Sequence, residues 1–135
     1  MSFSDYLEGK LLDHTFRNTA YTQPSTVYIG LFTGDPTDTG SLANELSNHA
    51  NYSSGYTRQA ATFSRTANEL TNSGQLDYGP IVTTGTITIT YAAVIDSSSL
   101  GAGNILASEA LTASKALTNG GYLRWAIGDL KVRLF

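Results

Sequence analysis

The residues of this 135-residue chain that could carry catalytic or metal chemistry are few and far apart. His14 and His49 are the only histidines, and there is no cysteine. Asp13 and His14 are adjacent on a predicted helix, but nothing identifies the third ligand that a metal site would need. Asp35 and Asp38 could hold a cation together with backbone carbonyls, although their turn-rich surroundings favour a turn or capping role. We therefore predict no catalytic residue, no metal and no cofactor.

Sequence motifs of known catalytic sites do not occur in the chain. It contains no Gly-x-Ser-x-Gly nucleophile turn and no glycine-rich phosphate loop. The stretch Gly101-Ala-Gly103 is not followed by a predicted helix, which a nucleotide-binding loop requires. The 11 acidic residues are scattered singly, which disfavours the paired carboxylates of a glycosidase without excluding them. We expect that the protein is not an enzyme.

The composition indicates a polar but weakly charged protein that packs against others. Charged residues make up 14% of the chain, against an average of about 25% in globular proteins. The net charge of −3 gives no electrostatic case for binding nucleic acid. No apolar run approaches the roughly 20 residues of a membrane span, and the first residues lack the basic flank and apolar core of a signal peptide. We expect neither nucleic acid nor a membrane as a partner.

The strongest secondary-structure signal runs from Gly85 to Ile95. Residues at a spacing of two alternate there with threonines, namely Ile87, Ile89, Tyr91, Ala93 and Ile95. Strict alternation with β-branched residues is typical of a strand with one buried face. Ala92 and Val94 continue the threonine face, so we expect the far end of the strand to be covered on both sides. This pattern predicts a long central strand.

Shorter strands surround this one and are separated by turn residues. They are predicted at 27–33, 56–63, 76–82, 104–111, 122–127 and 130–134. Gly79-Pro80 favours an edge or a bend for the third of them, and the alternation slips by one residue at Gly128-Asp129, which favours a bulge or tight bend. We predict a single domain over residues 1–135 that is mainly β, with an N-terminal α-helix before an antiparallel β-sandwich or jelly roll at about 26–135. Its predicted core contains Ile89, Tyr91, Leu123, Trp125, Leu130 and Val132.

The predicted N-terminal helix, at about 2–17, has apolar side chains on two sides. Ser2 or Ser4 can cap its start. One stripe consists of Phe3, Tyr6, Leu7 and Leu11, whereas Leu12 and Phe16 point nearly the opposite way. A surface helix that packs on one side needs only one apolar stripe, so the second indicates a partner surface. In the alternative interpretation, Phe16 lies past the helix end and folds into the core of its own chain.

The long irregular stretch at 34–55 carries two isolated leucines, Leu42 and Leu46, among polar residues. A loop of this length in a compact domain is usually functional or disordered. We predict that both leucines join Leu12 and Phe16 in contacting a partner. In the alternative, both leucines fold back over the sandwich as a lid. The two-sided helix and the low surface charge also favour self-association, and a symmetric homodimer is the expected assembly.

Five stretches, distributed along nearly the whole chain, are informative in combination. They are MSFSDYLEGKLLDH at 1–14, the segment 20–36, GYTRQ at 55–59, AVID at 93–96 with NIL at 104–106, and GDLKVRL at 128–134. Together they resemble a family of small structural proteins of tailed bacteriophages. The chain departs from the family pattern in a longer loop before Gly55. It also has Asp77-Tyr-Gly-Pro80 where relatives often carry a tryptophan.

The resemblance implies a structural virion protein with a jelly-roll sandwich, of the kind that decorates and cements a phage capsid. Members of the family are often labelled tail-fibre proteins. For this chain the resemblance implies binding to the outside of the capsid, with the major capsid protein as partner, after assembly in the host cytoplasm. The alternative is a tail or tail-fibre component that binds a host surface carbohydrate.

Overall fold

The computed structural model describes residues 1–133, so Leu134 of the last predicted strand lies outside the described residues. This part of the chain contains one α-helix, one short 3-10 helix and eleven strands. They are β1 (Ser2–Phe3), α1 (Asp5–Phe16), β2 (Val27–Phe32), the 3-10 helix (Leu46–Asn48), β3 (Tyr52–Ser54), β4 (Gln59–Ala61), β5 (Phe63–Thr66), β6 (Glu69–Asn72), β7 (Leu76–Thr83), β8 (Ile87–Ile95), β9 (Ile105–Leu117), β10 (Gly121–Trp125) and β11 (Lys131–Arg133). The predicted fold class, mainly β with antiparallel sheets and an N-terminal helix, is confirmed.

A five-stranded antiparallel sheet with the order β1-β9-β8-β2-β4 forms one side of the core. β8 is its middle strand and pairs with β9 along one edge and with β2 along the other. Ile87 and Ile89 are buried while Thr88 is exposed, which is the predicted alternation. All residues from Ala92 to Ile95 are buried, so the far end of the strand is covered on both sides, as predicted.

Two three-stranded antiparallel sheets, β10-β7-β3 and β11-β6-β5, complete the fold. Of the two outcomes predicted for Gly79-Pro80, an edge or a bend, the edge is wrong because β7 is the middle strand of its sheet, whereas the irregular pairing at these residues agrees with a bend. The sheet accommodates these residues by a register shift, because β10 pairs with β7 on both sides of them. β3 joins β7 only at Val82 and Thr83. At Pro80, β7 therefore has a paired strand on one side only, which is β10. This position suits a proline, because proline has no backbone N–H to donate to a second neighbour.

The three sheets share one apolar core, which is the arrangement of a β-sandwich. The five-stranded sheet contributes Ile29, Leu31 and Ile89. β7 contributes Leu76, Tyr78 and Ile81, and β11 contributes Val132. Of the predicted core residues, Ile89, Leu123, Leu130 and Val132 are buried, whereas Tyr91 and Trp125 are half-buried. The slip in alternation near Gly128 corresponds to a turn between β10 and β11. Ile127, at the end of the predicted strand 122–127, lies in that turn and is 67% exposed.

The N-terminal helix starts later than predicted, because the first residues form a strand. β1 pairs with β9, so the helix begins at Asp5 and not near Ser2. Ser4 is the cap: its hydroxyl accepts a hydrogen bond from the backbone N–H of Leu7 at 3.3 Å and donates one to the Ile105 carbonyl at 2.5 Å. Within residues 1–133, no helix is long and apolar enough to cross a membrane.

Candidate functional site

The N-terminal helix presents apolar side chains to solvent. None of the helical residues 5–16 is buried. Tyr6 and Leu7 pack against the core, but Leu12 is 56% exposed and Phe16 is 78% exposed. Residues four apart lie on the same face of a helix, so Leu12 and Phe16 form one apolar surface, called the helix patch below. Because Phe16 is the last helical residue and is exposed, the alternative in which it folds into the core is wrong.

Side-chain contacts fix both ends of α1, the helix that carries the helix patch. Ser4 caps the start of the helix, as described above. Near its end, the backbone N–H of Tyr21 donates to Nδ1 of His14 at 3.1 Å, and the guanidinium of Arg17 donates to the Asp13 carboxylate at 2.9 Å. Asp13 and His14, considered above as metal ligands, therefore interact with residues just after the helix and fix the direction in which the chain leaves it.

The other candidate metal ligands also have hydrogen-bond partners within the chain. The Asp35 carboxylate accepts a hydrogen bond from the backbone N–H of Thr37 at 2.8 Å, which is the predicted turn role. The carboxylate of Asp38 accepts one from the Ser2 hydroxyl at 3.5 Å. Across the described part of the chain, no group of three or more histidine and acidic side chains is placed to hold a metal ion.

The loop at 34–55 folds back onto the sandwich. The carbonyl of Asn44 accepts a hydrogen bond from the backbone N–H of Thr33, immediately after β2, at 2.9 Å. Leu46 is 0% exposed and lies in the core. Its apolar side chain is covered by its own chain and has no surface left for a partner. The prediction that Leu46 is an interface residue is therefore wrong, and the alternative of a lid over the sandwich applies to this residue. Leu42 is half-buried against a second cluster that consists of Phe32, Ala93, Ile95 and Ile105, and its contact with a partner stays a prediction.

A buried polar network fixes this loop. Arg58, just before β4, and Glu45 form a two-pronged ion pair, with Nε to Oε1 and Nη2 to Oε2 distances of 2.7 Å each. The Tyr56 hydroxyl donates to the Glu45 carboxylate and accepts from the backbone N–H of Leu31, both at 2.9 Å. Through Nη1, Arg58 also donates to two carbonyl oxygens of the loop between β8 and β9, at 2.8 Å each. The network therefore joins four segments of the chain: β2, the 34–55 loop, the segment before β4 and the β8–β9 loop.

Burial and the charge of Glu45 together set the pKa values of this network. Both side chains of the Glu45–Arg58 pair are 0% exposed. Desolvation acts to lower the pKa of Arg58, but the hydrogen bonds and the charge of Glu45 outweigh it and raise that pKa above its ordinary value. Desolvation, followed by the charge of Glu45, raises the pKa of the Tyr56 hydroxyl well above its usual range. Tyr56 remains a neutral donor and Arg58 remains charged, which suits a structural role and not proton transfer.

This network was not predicted from the sequence, although the sequence carries a signal for it. Residues 39–64 contain only two charged side chains other than a histidine, Glu45 and Arg58, and their charges are opposite. Arg58 also alternates with Tyr56 in a segment predicted as a strand, so one of its faces would carry both. Two opposite charges in an otherwise uncharged stretch are the pattern expected of a buried ion pair.

Comparison with known proteins identifies the family of the chain. A family model described as podophage GP4 fiber I protein gp80 matches residues 2–133. A search among curated proteins gives no match. The match covers nearly the whole sequence, including α1, the 34–55 loop and all three sheets. The chain therefore belongs to the podophage GP4 fiber I protein gp80 family, and it is a structural protein of a phage virion.

Proposed function

We propose that this chain is a fibre-type component of a phage virion that acts by binding and catalyses no reaction. The observation that carries the proposal is the match of residues 2–133 to a family described as a podophage fiber protein. The buried ion pair and the local partners of Asp13, His14 and Asp35 support it, since these groups serve the structure. Binding would use surfaces that a folded, rigid sandwich holds in place.

The helix patch is the surface that we assign to attachment on the virion. Leu12 and Phe16 remain largely in contact with water in the folded chain. Fully burying a leucine or phenylalanine side chain is worth about 1.5–3 kcal/mol, so both gain by packing against an apolar surface of another virion protein. The hydrogen bonds near Asp13 and His14 hold the end of the helix, which lowers the entropy that binding would cost.

The capsid surface is a second candidate location. There the chain would decorate the shell as a homodimer bound to the major capsid protein. The favouring observation is that the sequence shows no internal repeat, which an elongated fibre shaft would display. A symmetric oligomer that bridges neighbouring capsomers would add buried area at many equivalent positions.

Copy number on purified virions distinguishes the two locations. A fibre component should be present in a number set by the symmetry of the tail, and labelled antibody should decorate one vertex of the particle. A capsid decoration protein should be present in proportion to the major capsid protein, and labelling should cover the whole head. Quantitative mass spectrometry and electron microscopy of labelled particles give these two readouts.

The attachment surface is tested with the variant Leu12→Ser/Phe16→Ser. Because both side chains are exposed, we expect the melting temperature of the isolated protein to stay close to that of the wild type. Incorporation into particles, measured by complementation of a phage that lacks the protein, should fall. Ile127→Ser removes an exposed apolar side chain from the β10–β11 turn and serves as the matched control. Normal incorporation of the helix variant would contradict the assignment.

A further inference from the structure

A surface pocket of about 580 Å³ lies on the face of the five-stranded sheet that points away from the core. Tyr91 of β8 lines the pocket and packs against the second cluster, which contains Ala93. Ser108 of β9 is opposite Ala93 on one side and opposite Ser2 of β1 on the other. Side chains of directly opposed residues lie on the same face of an antiparallel sheet. Tyr91, Ser108 and Ser2 therefore form the floor of the pocket.

The start of the 34–55 loop forms a wall of the pocket and brings two carboxylates to it. Asp35 and Asp38 both line the pocket. Asp35 accepts its hydrogen bond from Thr37 at Oδ1, and Asp38 accepts that of Ser2 at Oδ1 as well. The carbonyl of Asp38 also accepts a hydrogen bond from the backbone N–H of Asp5 at 2.8 Å, which ties the loop to the start of α1. Each carboxylate is thus held in place and has a second oxygen that can accept a hydrogen bond from a ligand.

The hydroxyl of Ser108 has no hydrogen-bond partner among residues 1–133, although the residue is only 9% exposed. Buried hydroxyl groups in folded proteins normally have a partner, and an exception needs an explanation. Ser108 lines the pocket, so a ligand bound there would provide the missing hydrogen bond. This hydroxyl is evidence for a ligand that is independent of the two carboxylates.

The charge of the pocket favours a cation. None of the described residues that line it is a lysine, arginine or histidine. Glu109 also lines the pocket, but it is opposite Ala92, a core residue, so its side chain belongs to the other face of the sheet. Its carboxylate is paired with the amino group of Met1 at 3.3 Å. The charges that remain for a ligand are those of Asp35 and Asp38, and both are negative.

A guanidinium group fits this set of side chains. It is planar and carries five N–H donors in a fixed arrangement, so it can bond to carboxylates and a hydroxyl while its face stacks on an aromatic ring. The ammonium group of lysine is compact and has no flat face to stack. We propose that the pocket binds the guanidinium group of an arginine side chain from another protein chain. Asp35, Asp38 and Ser108 are the acceptors, and Tyr91 is the stacking surface.

This site is separate from the attachment surface proposed above. The pocket shares no residue with the helix patch of Leu12 and Phe16. Binding of an arginine side chain can therefore fail while attachment through the helix patch holds, and attachment can fail while the pocket still binds its ligand. The pocket is tested on the isolated full-length protein, without virions.

Backbone amide signals of the isotope-labelled protein report on the pocket in two-dimensional NMR spectra. The titrant is N-acetylarginine amide, which carries a guanidinium and no other charge. We expect the signals of Thr37, Asp38, Tyr91 and Ser108 to shift in a saturable manner. The dissociation constant should be in the millimolar range, because both carboxylates are exposed and screened by salt. N-acetylcitrulline amide has a similar shape without the charge and should leave these signals unchanged, and N-acetyllysine amide should bind several times more weakly.

Two substitutions and one control test the named groups. Asp38→Asn keeps an acceptor for Ser2 but removes the charge, and it should weaken binding about tenfold. Ser108→Ala should weaken binding several-fold while the melting temperature stays the same or rises, because a buried hydroxyl without a partner adds no stability. Glu8→Gln removes a negative charge from α1, outside the pocket, and should bind as the wild type does.

Three results would each overturn the proposal. The first is that N-acetylarginine amide leaves the four amide signals unchanged up to about 50 mM, well above the expected dissociation constant. The second is that the lysine or citrulline compound shifts the signals as strongly, since the pocket would then not recognise a guanidinium. The third is wild-type affinity in both Asp38→Asn and Ser108→Ala.

Discussion

The guanidinium of Arg58 donates two hydrogen bonds of 2.7 Å to the two carboxylate oxygens of Glu45, and both side chains are fully buried. Arg58 extends the contact to the carbonyls of Ser97 and Ala102, each at 2.8 Å. A buried charge is costly unless it is paired and its donors are used. Here the pair is satisfied only when the 34–55 loop, the segment before β4 and the β8–β9 loop are all in place, so the three loops should form and unfold together.

Removing one partner of this pair should therefore be costly. We expect Glu45→Ala to lower the free energy of unfolding by about 3–5 kcal/mol, because it leaves the Arg58 charge buried without compensation. Urea denaturation followed by circular dichroism measures the loss. A loss below about 1 kcal/mol would mean that water enters the site and solvates Arg58.

The double variant Glu45→Leu/Arg58→Met is the control for this prediction. It removes both charges and keeps apolar volume, so it should be less destabilised than Glu45→Ala. A double-mutant cycle with Arg58→Met alone then gives the coupling between the two side chains. If the losses of the single variants add, the two side chains do not act as a pair.

The strands were predictable where the signal is local. The alternation of Ile87 and Ile89 with threonines fixes which face of β8 is buried, and the structure follows it. The slip at Gly128 likewise marks the turn between β10 and β11. Such patterns depend on the two-residue period of a strand and not on which strand lies beside it.

Features that depend on the path of the whole chain were not predictable in the same way. Leu46 looks like an isolated apolar residue in a polar loop, and only the return of the loop to β2 reveals that it is in the core. Ser4, and not Ser2, caps the helix because β1 pairs with β9, and this pairing joins residues that are far apart in sequence. The bulge in β9 is likewise revealed only by its register against β8.

The two leucines of the 34–55 loop should differ in their effect on stability. Leu46 is fully buried, so we expect Leu46→Ala to cost about 2–5 kcal/mol of unfolding free energy. Leu42 is half-buried, and Leu42→Ala should cost clearly less. Thermal unfolding of both variants, with virion incorporation as a second readout, makes the comparison. Equal and small losses of stability together with weaker incorporation would mean that the loop opens and contacts a partner.

Gly55 is expected to tolerate no side chain. Its φ of +92° is disfavoured for other residues, and a Cβ atom there would lie 2.1 Å from the backbone oxygen of Pro80. Gly101 has a similar φ of +76° but nothing within 4 Å, which makes it the matched control. Gly101→Ala should cost only the conformational penalty of about 1–2 kcal/mol, and Gly55→Ala should cost distinctly more. Similar losses in urea denaturation would show that β7 can move away from residue 55.

The ion pair between Glu69 and Arg133 predicts an acid dependence of stability. The two residues are opposite each other on β6 and β11, and Nε of Arg133 donates to the Glu69 carboxylate at 2.9 Å. This hydrogen bond is the largest influence and, together with the charges of Arg133 and Lys131, lowers the pKa of Glu69 below its ordinary value of 4.5 despite some desolvation. A carboxyl group whose pKa is lower in the folded state contributes stability that is fully present above the unfolded pKa. That contribution is lost as the pH falls through the folded pKa.

Comparison of the wild type with Glu69→Gln tests this dependence. The wild type should have the higher melting temperature at neutral pH, and the difference should close as the pH falls below 4.5. Because the pair lies at the surface, the difference should be small, and added salt should reduce it at neutral pH. Melting curves at several pH values, with and without salt, measure both effects. A difference that stays constant down to about pH 3 would show that the variant acts through packing and not through the charge of Glu69.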